Sequence, residues 1–316
     1  MTQIRAGTCS WADESLSKLW YPPQVRSAEG RLRYYASIFD TVEVNSSYYA
    51  LPTAEAAALW ARRTPDGFVF HVKAFGMMTR HPVRPEQLPP DLRGELAVDA
   101  QGRVDRPSAE LRAEVFRRFL DAVAPLREAG KLGGILIQLP PYIVFKPSAF
   151  AYLEWAADQL AGHEMLVEFR HRSWLEEGNA AHTLSFLERL GATYVMVDAP
   201  RSGARNIAPT VVAATSPTAY LRLHGRNAST WNVRGRSAAE RFDHLYTDEE
   251  LAEWVAPLRE LAGSSQRVYA MFNNNGRSVD TSGRSFAQAP VNALMLRELL
   301  EKAGVPVALP DTATPS

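Results

Sequence analysis

Short apolar runs recur along the chain at intervals of about one helix. They cover Ile4 to Trp11, Thr41 to Tyr49, Phe68 to Phe75, Gly134 to Leu139, Met165 to Arg170, Thr193 to Asp198, Ala219 to His224 and Val268 to Asn273. Each is rich in Val, Ile, Phe or Tyr and ends in polar, Gly or Pro residues, as strands buried on both faces do. Between them the spacing changes to three and four. Ser27 to Phe39, Thr53 to Arg63, Ser108 to Ala129, Ser148 to Leu160, Asn179 to Leu190, Thr247 to Leu261 and Val291 to Ala303 read as helices. In Ser108 to Ala129, for instance, Leu111, Val115, Phe119 and Val123 fall on one stripe. Thr247 and Glu250 form a capping box, a hydroxyl at the cap and a carboxylate three residues on.

Strand–helix repetition to eight strands implies parallel pairing with right-handed crossovers, and eight such units close into a barrel. The expectation is an α/β fold, a single (β/α)8 TIM barrel over residues 1–305. A doubly wound open sheet is the alternative, but no G-x-G-x-x-G turn follows the first strand. Long βα loops follow strands three, six and seven: Gly76 to Pro107, Ala199 to Pro217 and Asn227 to Tyr246. All leave the strand ends where barrels build their sites, and 76–107 is an inserted loop placed to act as a lid. Pro306 to Ser316 reads as a mobile C-terminal tail.

Polar residues break the apolar runs at those same strand ends. Glu43 and Asn45, His71 and Lys73, Glu168 and Arg170, and Arg222 and His224 are each two apart. Side chains two apart share a strand face. The residues between them, Val44, Val72, Phe169 and Leu223, are apolar and belong against the helices. The polar pairs then face the barrel axis, where charge is costly unless paired or solvated at a mouth. Gln138, Asp198, Asn273 and Asn274 end further strands, and Cys9-Ser10-Trp11 closes the first.

Charge sharpens the location. Lys+Arg and Asp+Glu each total 35 in 316 residues, which excludes a uniformly basic nucleic-acid coat. Residues 201 to 241 nevertheless hold seven arginines against one acid, Glu240, around strand seven. Barrels often bind phosphate there. The single cysteine, Cys9, excludes an intrachain disulfide and every multi-cysteine metal site, and reads as a small buried thiol. The first residues lack an apolar signal core, and no run approaches the roughly 18 apolar residues of a membrane span. A cytoplasmic location is expected, with neither a membrane nor a protein partner.

Several motifs stand in a fixed order: Gly7-Thr-Cys-Ser-Trp11, Trp20-Tyr-Pro22, Tyr34-Tyr35 and Phe39-Asp-Thr-Val-Glu-Val-Asn-Ser-Ser-Tyr-Tyr49. Pro65 to Lys73, Gln138-Leu-Pro-Pro141, Glu168-Phe-Arg-His-Arg-Ser-Trp174, Arg222-Leu-His-Gly-Arg226 and Phe272-Asn-Asn274 follow. From Gly7 to about Ala303 the chain resembles the domain-of-unknown-function family 72, the YecE-like proteins. The resemblance implies a TIM barrel and brings no agreed reaction. In one stretch the chain departs from the family. Asn227 to Arg241 is mostly Arg, Ser and Ala with one aromatic, Trp231, so few ligand contacts are expected from it.

The residue types suit acid–base chemistry on an anionic, phosphate-bearing substrate, of hydrolase, lyase or isomerase type. Glu43, Lys73, Glu168, Asp198 and His224 are the expected catalytic set. Lys73 is notable because the chain has only five lysines, and burial near cations would lower its pKa. Arg170, Arg222 and Arg226 offer forked donors to an anion, with Asn45, His71, Gln138, His171, Asn273 and Asn274 as further polar contacts. Trp11, Tyr48, Tyr49 and Trp174 supply an aromatic rim. No metal or cofactor is expected, because each carboxylate has a cationic or amide neighbour and no P-loop or H-E-x-x-H spacing occurs. Two alternatives stay open: a non-catalytic nucleic-acid-binding barrel and a metal-dependent endonuclease or isomerase.

Overall fold

All eight strands form, four of them shorter than their apolar runs. In the computed structural model, which describes residues 1–94, 96–231 and 238–310, they are β1 (Ile4–Thr8), β2 (Thr41–Val44), β3 (Val69–Lys73), β4 (Leu132–Gln138), β5 (Met165–Glu168), β6 (Thr193–Asp198), β7 (Thr218–Leu223) and β8 (Arg267–Phe272). They pair in sequence order, all parallel, and β8 returns to β1 to close the barrel. The second run was read through Tyr49 but β2 ends at Val44. Ser47 donates its hydroxyl to the carbonyls of Val44 (2.9 Å) and Lys73 (2.6 Å), satisfying groups a longer ladder would have used. Ser46–Tyr48 then forms a 3-10 turn.

The alternation read from the sequence separates two apolar layers. Val44, Val72, Phe169 and Leu223 join the large outer core between sheet and helices. Cys9, Leu136, Leu166, Val197, Tyr220 and Met271 join a smaller core inside the barrel. The β1–β2 seam has a single registered pair, Thr8 with Val42. Tyr35 completes it, accepting from the Thr8 amide (2.9 Å) and donating to the Thr41 carbonyl (3.0 Å). Gly7 permits that approach, since a Cβ there would lie 2.4 Å from the Thr41 oxygen.

The helices are α1 (Glu14–Leu19), α2 (Ala28–Ala36), α3 (Ala54–Arg62), α4 (Ala109–Glu128), α5 (Pro147–Gln159), α6 (Ala180–Leu190), α7 (Ala228–Trp231), α8 (Ala238–Arg241), α9 (Asp248–Ala252), α10 (Val255–Ser264) and α11 (Gln288–Lys302). Ser27, Thr53, Ser108 and Thr247 cap as their side chains predict. The helix expected over Thr247 to Leu261 is broken into α9 and α10. Pro257 has no amide hydrogen and its ring crowds the carbonyl four residues back, so the turn at Glu253 and Trp254 cannot continue straight. The short α1, with Asp13 as its cap, was not foreseen.

The insert 76–107 forms three 3-10 turns and a bridge between Val98 and Val104. Arg112, Tyr142 and Tyr152 fix it by donating to the carbonyls of Met77, Arg80 and Met78, each at 2.7 Å. Pro306 to Ala308, expected in the tail, run beside β1: the Ile4 amide donates to Pro306 and Ala308 donates back to Ile4, both 2.9 Å. The rest of that tail, residues 311–316, lies outside the described residues.

Candidate active site

Strand parity decides which polar residues meet. On β7, Tyr220, Arg222 and then His224 face inward while Leu221 and Leu223 face the helices. Arg222 is fully buried at the centre. Its guanidinium donates to Glu43 on β2 (2.6 Å), to Glu168 on β5, and to Gln138 on β4 (3.3 Å). Glu43 also accepts from the Tyr220 hydroxyl (2.9 Å). One cation thus bridges two carboxylates from opposite sides of the barrel. Burial alone would raise the Glu168 pKa, but Arg222 and Arg170 outweigh it and hold the carboxyl well below its usual range. The same two carboxylates, Glu168 first, hold Arg222 protonated against its own burial. The Cys9 thiol, 3.9 Å from Arg222, is pushed up by burial and by Glu43 and stays a thiol.

A neutral relay leads from Glu168 to the mouth. His224 lies 3.4 Å from Glu168 through Nε2, and its Nδ1 is 2.9 Å from the Asn273 amide. Asn45 donates to Asn273 at 3.3 Å. Burial, joined by repulsion from Arg170 and Arg222, lowers His224 to about 3 despite Glu168, so the ring is neutral at ordinary pH. With Asn273 donating to Nδ1, the ring hydrogen is assigned to Nε2, which lies 3.4 Å from both the Glu168 carboxylate and the Arg222 guanidinium. Gly225 makes the turn that follows, in the left-handed region at φ +89°, and a Cβ there would meet His244 at 2.6 Å.

Above this cluster opens a cavity of about 800 Å³. Lys73 borders it, donating to Gln138 (3.0 Å) and lying over the Tyr48 ring at 4.5 Å. Burial and then the Arg222 charge bring Lys73 down to about 8. Arg170 borders it too, 3.2 Å from Glu168 and flanked by the Trp231 and Phe242 rings at 5.3 and 5.7 Å. Trp11, Asn45, Tyr48, Tyr49, Gln138 and Asn273 complete the expected residues that reach the cavity wall.

The other expected residues lie elsewhere. Glu43, Glu168, Arg222 and His224 sit beneath the cavity, fully buried. His71 faces inward one layer deeper, between the Tyr220 and Tyr269 rings (4.7 and 4.4 Å), with neither ring nitrogen hydrogen-bonded. Burial lowers it to about 3. Asp198 is a correction. Val197 takes the inward position on β6, so Asp198 points to the outer helices. There it accepts from Arg226 (2.6 Å), Tyr246 (3.3 Å) and Trp254. Arg226 goes with it and also reaches Glu253 at 3.1 Å. Asn274 fails for the same reason of parity, donating to Asn292 (2.8 Å) and the His244 carbonyl (2.9 Å). His171 caps the Arg172–Trp174 turn, and Trp174 stacks on Phe169 with its indole donating to Ile143 (2.8 Å).

The basic stretch is also dispersed. Arg201, Arg222 and Arg226 each pair with a carboxylate, and of the seven only Arg241 borders the cavity among the described residues. Arg234 and Arg236 lie outside the described residues. The 227–241 stretch was expected to contribute little, yet Trp231 and Arg241 line the mouth with the adjoining Phe242. Asp13, Trp60, His81 and Asn275 were missed. Asp13 is the most informative. Its Oδ1 caps α1 (3.0 Å from the Leu16 amide), its Oδ2 is buried without a hydrogen bond, and burial raises its pKa. A carboxylate two residues beyond a Trp at a strand end was the available signal. Among the described residues no group of three or more His, Cys, Asp or Glu is arranged to hold a metal ion, and no helix is long and apolar enough to cross a membrane.

Fold and mouth together define a (β/α)8-barrel protein with a charged, aromatic-walled cavity at the C-terminal strand ends. The chain belongs to the family described as Protein of unknown function DUF72, which residues 5–315 match. It is 33% identical over 276 residues to the UPF0759 protein YunF of Bacillus subtilis (strain 168), covering 86% of this chain and 89% of that one. A solved DUF72 family protein from Thermotoga maritima MSB8 is 29% identical, with a TM-score of 0.72 over 95% of this chain and 99% of that one. One from Enterococcus faecalis V583, at 24% identity and TM-score 0.73, covers 95% of this chain and 96% of that one and shares the fold.

Proposed function

We propose that the protein is an enzyme that binds a small anionic molecule, bearing a phosphate or carboxylate, in the barrel mouth and moves a proton there through Lys73. The observation that carries this reading is the charge balance of the inner mouth. Three cations, Lys73, Arg170 and Arg222, face two carboxylates, Glu43 and Glu168. Both carboxylates are committed to Arg222. The excess positive charge lies on the groups that border the cavity, in a low-dielectric wall where an anion would be strongly favoured.

Glu43 and Glu168 then act by holding the cations in place. The proton-transfer role expected for them passes to groups that reach the ligand. Lys73, at about 8, is poised between its two protonation states near neutral pH. Asp13 supplies a second titratable group in the wall. The Trp11 and Trp60 edge pair, with centroids 5.5 Å apart, gives the cavity wall apolar ring surface for the rest of the molecule.

Thermal unfolding in increasing inorganic phosphate tests this. The wild-type midpoint should rise with phosphate, and Arg170→Gln should lose most of that rise relative to its own baseline. Ligand at about tenfold above its Kd adds about 1.4 kcal/mol. An equal rise in both proteins would remove Arg170 from the site and with it the reading.

A further inference from the structure

The amine of Lys73 is placed for covalent chemistry as well as for proton transfer. A buried lysine ordinarily neutralises a carboxylate. Lys73 has none within ion-pair distance among the described residues; its hydrogen-bond partner is the amide oxygen of Gln138 at 3.0 Å. That bond uses one of three ammonium hydrogens and fixes the nitrogen against the Tyr48 face. The nitrogen opens onto a cavity of about 800 Å³, ample for a molecule of several heavy atoms beside it. Arg170, which lines the same cavity, is held by Glu168 and by two aromatic rings. A nucleophile and an anion clamp therefore share one chamber.

We propose that Lys73 forms an imine with a small carbonyl compound that also carries an anionic group, the anion held by Arg170 and the carbonyl carbon presented to the lysine nitrogen. This rests on the reading of the mouth as an anion site and names the substrate class. The ammonium first gives a proton to solvent; the neutral amine then adds its lone pair to the carbonyl carbon, and the carbonyl π pair moves to oxygen, which takes a proton from solvent. The carbinolamine nitrogen returns one proton to solvent, the hydroxyl takes a second proton and leaves as water, and the nitrogen pair closes the C=N bond. Overall, an ammonium and a carbonyl give a protonated imine and water. The positive charge on the nitrogen is kept, so the balance with Glu43, Glu168, Arg170 and Arg222 survives the reaction. Those four groups, with Tyr48 and His81, are the titratable and charged neighbours that face the amine. Burial lowers its pKa most, Arg222 and Arg170 add to that and Glu168 and Glu43 oppose it, bringing it to about 8, so a usable fraction is neutral near pH 8.

The test is borohydride trapping followed by peptide mapping of the full-length protein. Three carbonyl probes are used: pyruvate, dihydroxyacetone phosphate and uncharged acetone. Lys18 and Lys302, 69% and 74% exposed, serve as internal references. The expected result is at least about tenfold more reduced adduct on Lys73 than on either reference, for one or both anionic probes and not for acetone. Which anionic probe labels distinguishes a carboxylate from a phosphate ligand. Lys73→Arg should lose that adduct while the reference lysines label as before. Labelling of Lys73 no greater than that of Lys18 and Lys302 overturns the imine. If phosphate still stabilises the protein in that case, the anion site stands without it. Strong Lys73 labelling by acetone as well as the anionic probes, with no protection by inorganic phosphate, keeps the nucleophile and overturns the anion reading.

Discussion

Two arginine–carboxylate clusters sit less than one strand apart and serve opposite ends. Around Arg222 the partners are Glu43 and Glu168, and the cluster floors an open cavity. Around Asp198 the partners are Arg226, Tyr246 and Trp254, and the cluster ties β6 and the loop after β7 to α10. Both lie at C-terminal strand ends and both mix charge with aromatic rings. What separates them is the parity of one residue. Arg222 alternates with the apolar Leu221 and Leu223, whereas Asp198 follows the inward Val197. The second difference is the charge ledger. Asp198 meets Arg226, which also meets Glu253, itself shared with Arg201, so that cluster closes on itself. The first leaves Lys73 and Arg170 bordering the cavity.

The largest effect should follow from Arg222→Met. It strands two buried carboxylates, and breaking a buried pair costs about 3–5 kcal/mol. Denaturant unfolding at pH 7 measures it, and the loss should shrink at acid pH as the stranded Glu168 accepts a proton. A loss under about 1 kcal/mol would show that the bridge is not structural.

Asp198→Asn should cost less, about 1–3 kcal/mol, through weakened bonds to Arg226 and Trp254. The phosphate-induced rise in melting midpoint should be unchanged, because this cluster is outside the mouth. Loss of the rise would erase the distinction between the two regions.

Lys73→Met should stabilise the protein at pH 7, by about 1–3 kcal/mol. The sign follows from the folded pKa of about 8 lying below the ordinary lysine value of 10.5. Between these values the unfolded chain binds more protons, so wild-type stability rises with pH across that window. Below about 8 the penalty is fully present; above about 10.5 it is relieved, and the advantage of the variant should fade there. Paired denaturant curves at pH 7 and pH 10 check this. A destabilised variant at both would mean the ammonium is compensated in the folded protein.

The barrel was legible in the sequence because its signal is repeated. Each apolar run is a separate instance of a buried parallel strand, and Val44, Val72, Phe169 and Leu223 marked the outward face correctly. The Glu43, Lys73, Glu168, Arg170, Arg222 and His224 cluster came from the same alternation, while Gln138 was read only as a polar strand end. Asp198 and Asn274 were misplaced because neither a single polar residue at the end of an apolar run nor an unbroken polar run such as Asn273 to Asn275 carries parity. Trp174 and His171 lie beyond β5, where strand alternation no longer applies and the Arg172–Trp174 turn sets direction. Asp13, His81 and Phe242 come from connecting segments whose path depends on anchors far away in sequence. The Arg112 bond to Met77 is one such anchor.

The central claim is that Lys73 carries an uncompensated charge reserved for an anionic ligand. The chain has five lysines, so their side-chain carbon signals can be resolved and assigned by substitution. A pH titration of these signals by nuclear magnetic resonance, without and with inorganic phosphate, measures the claim directly. The account predicts that Lys73 titrates near 8 in the free protein and moves upward when phosphate binds, while the reference lysines stay near their usual range. A Lys73 that titrates with the others, or that ignores phosphate, would contradict it.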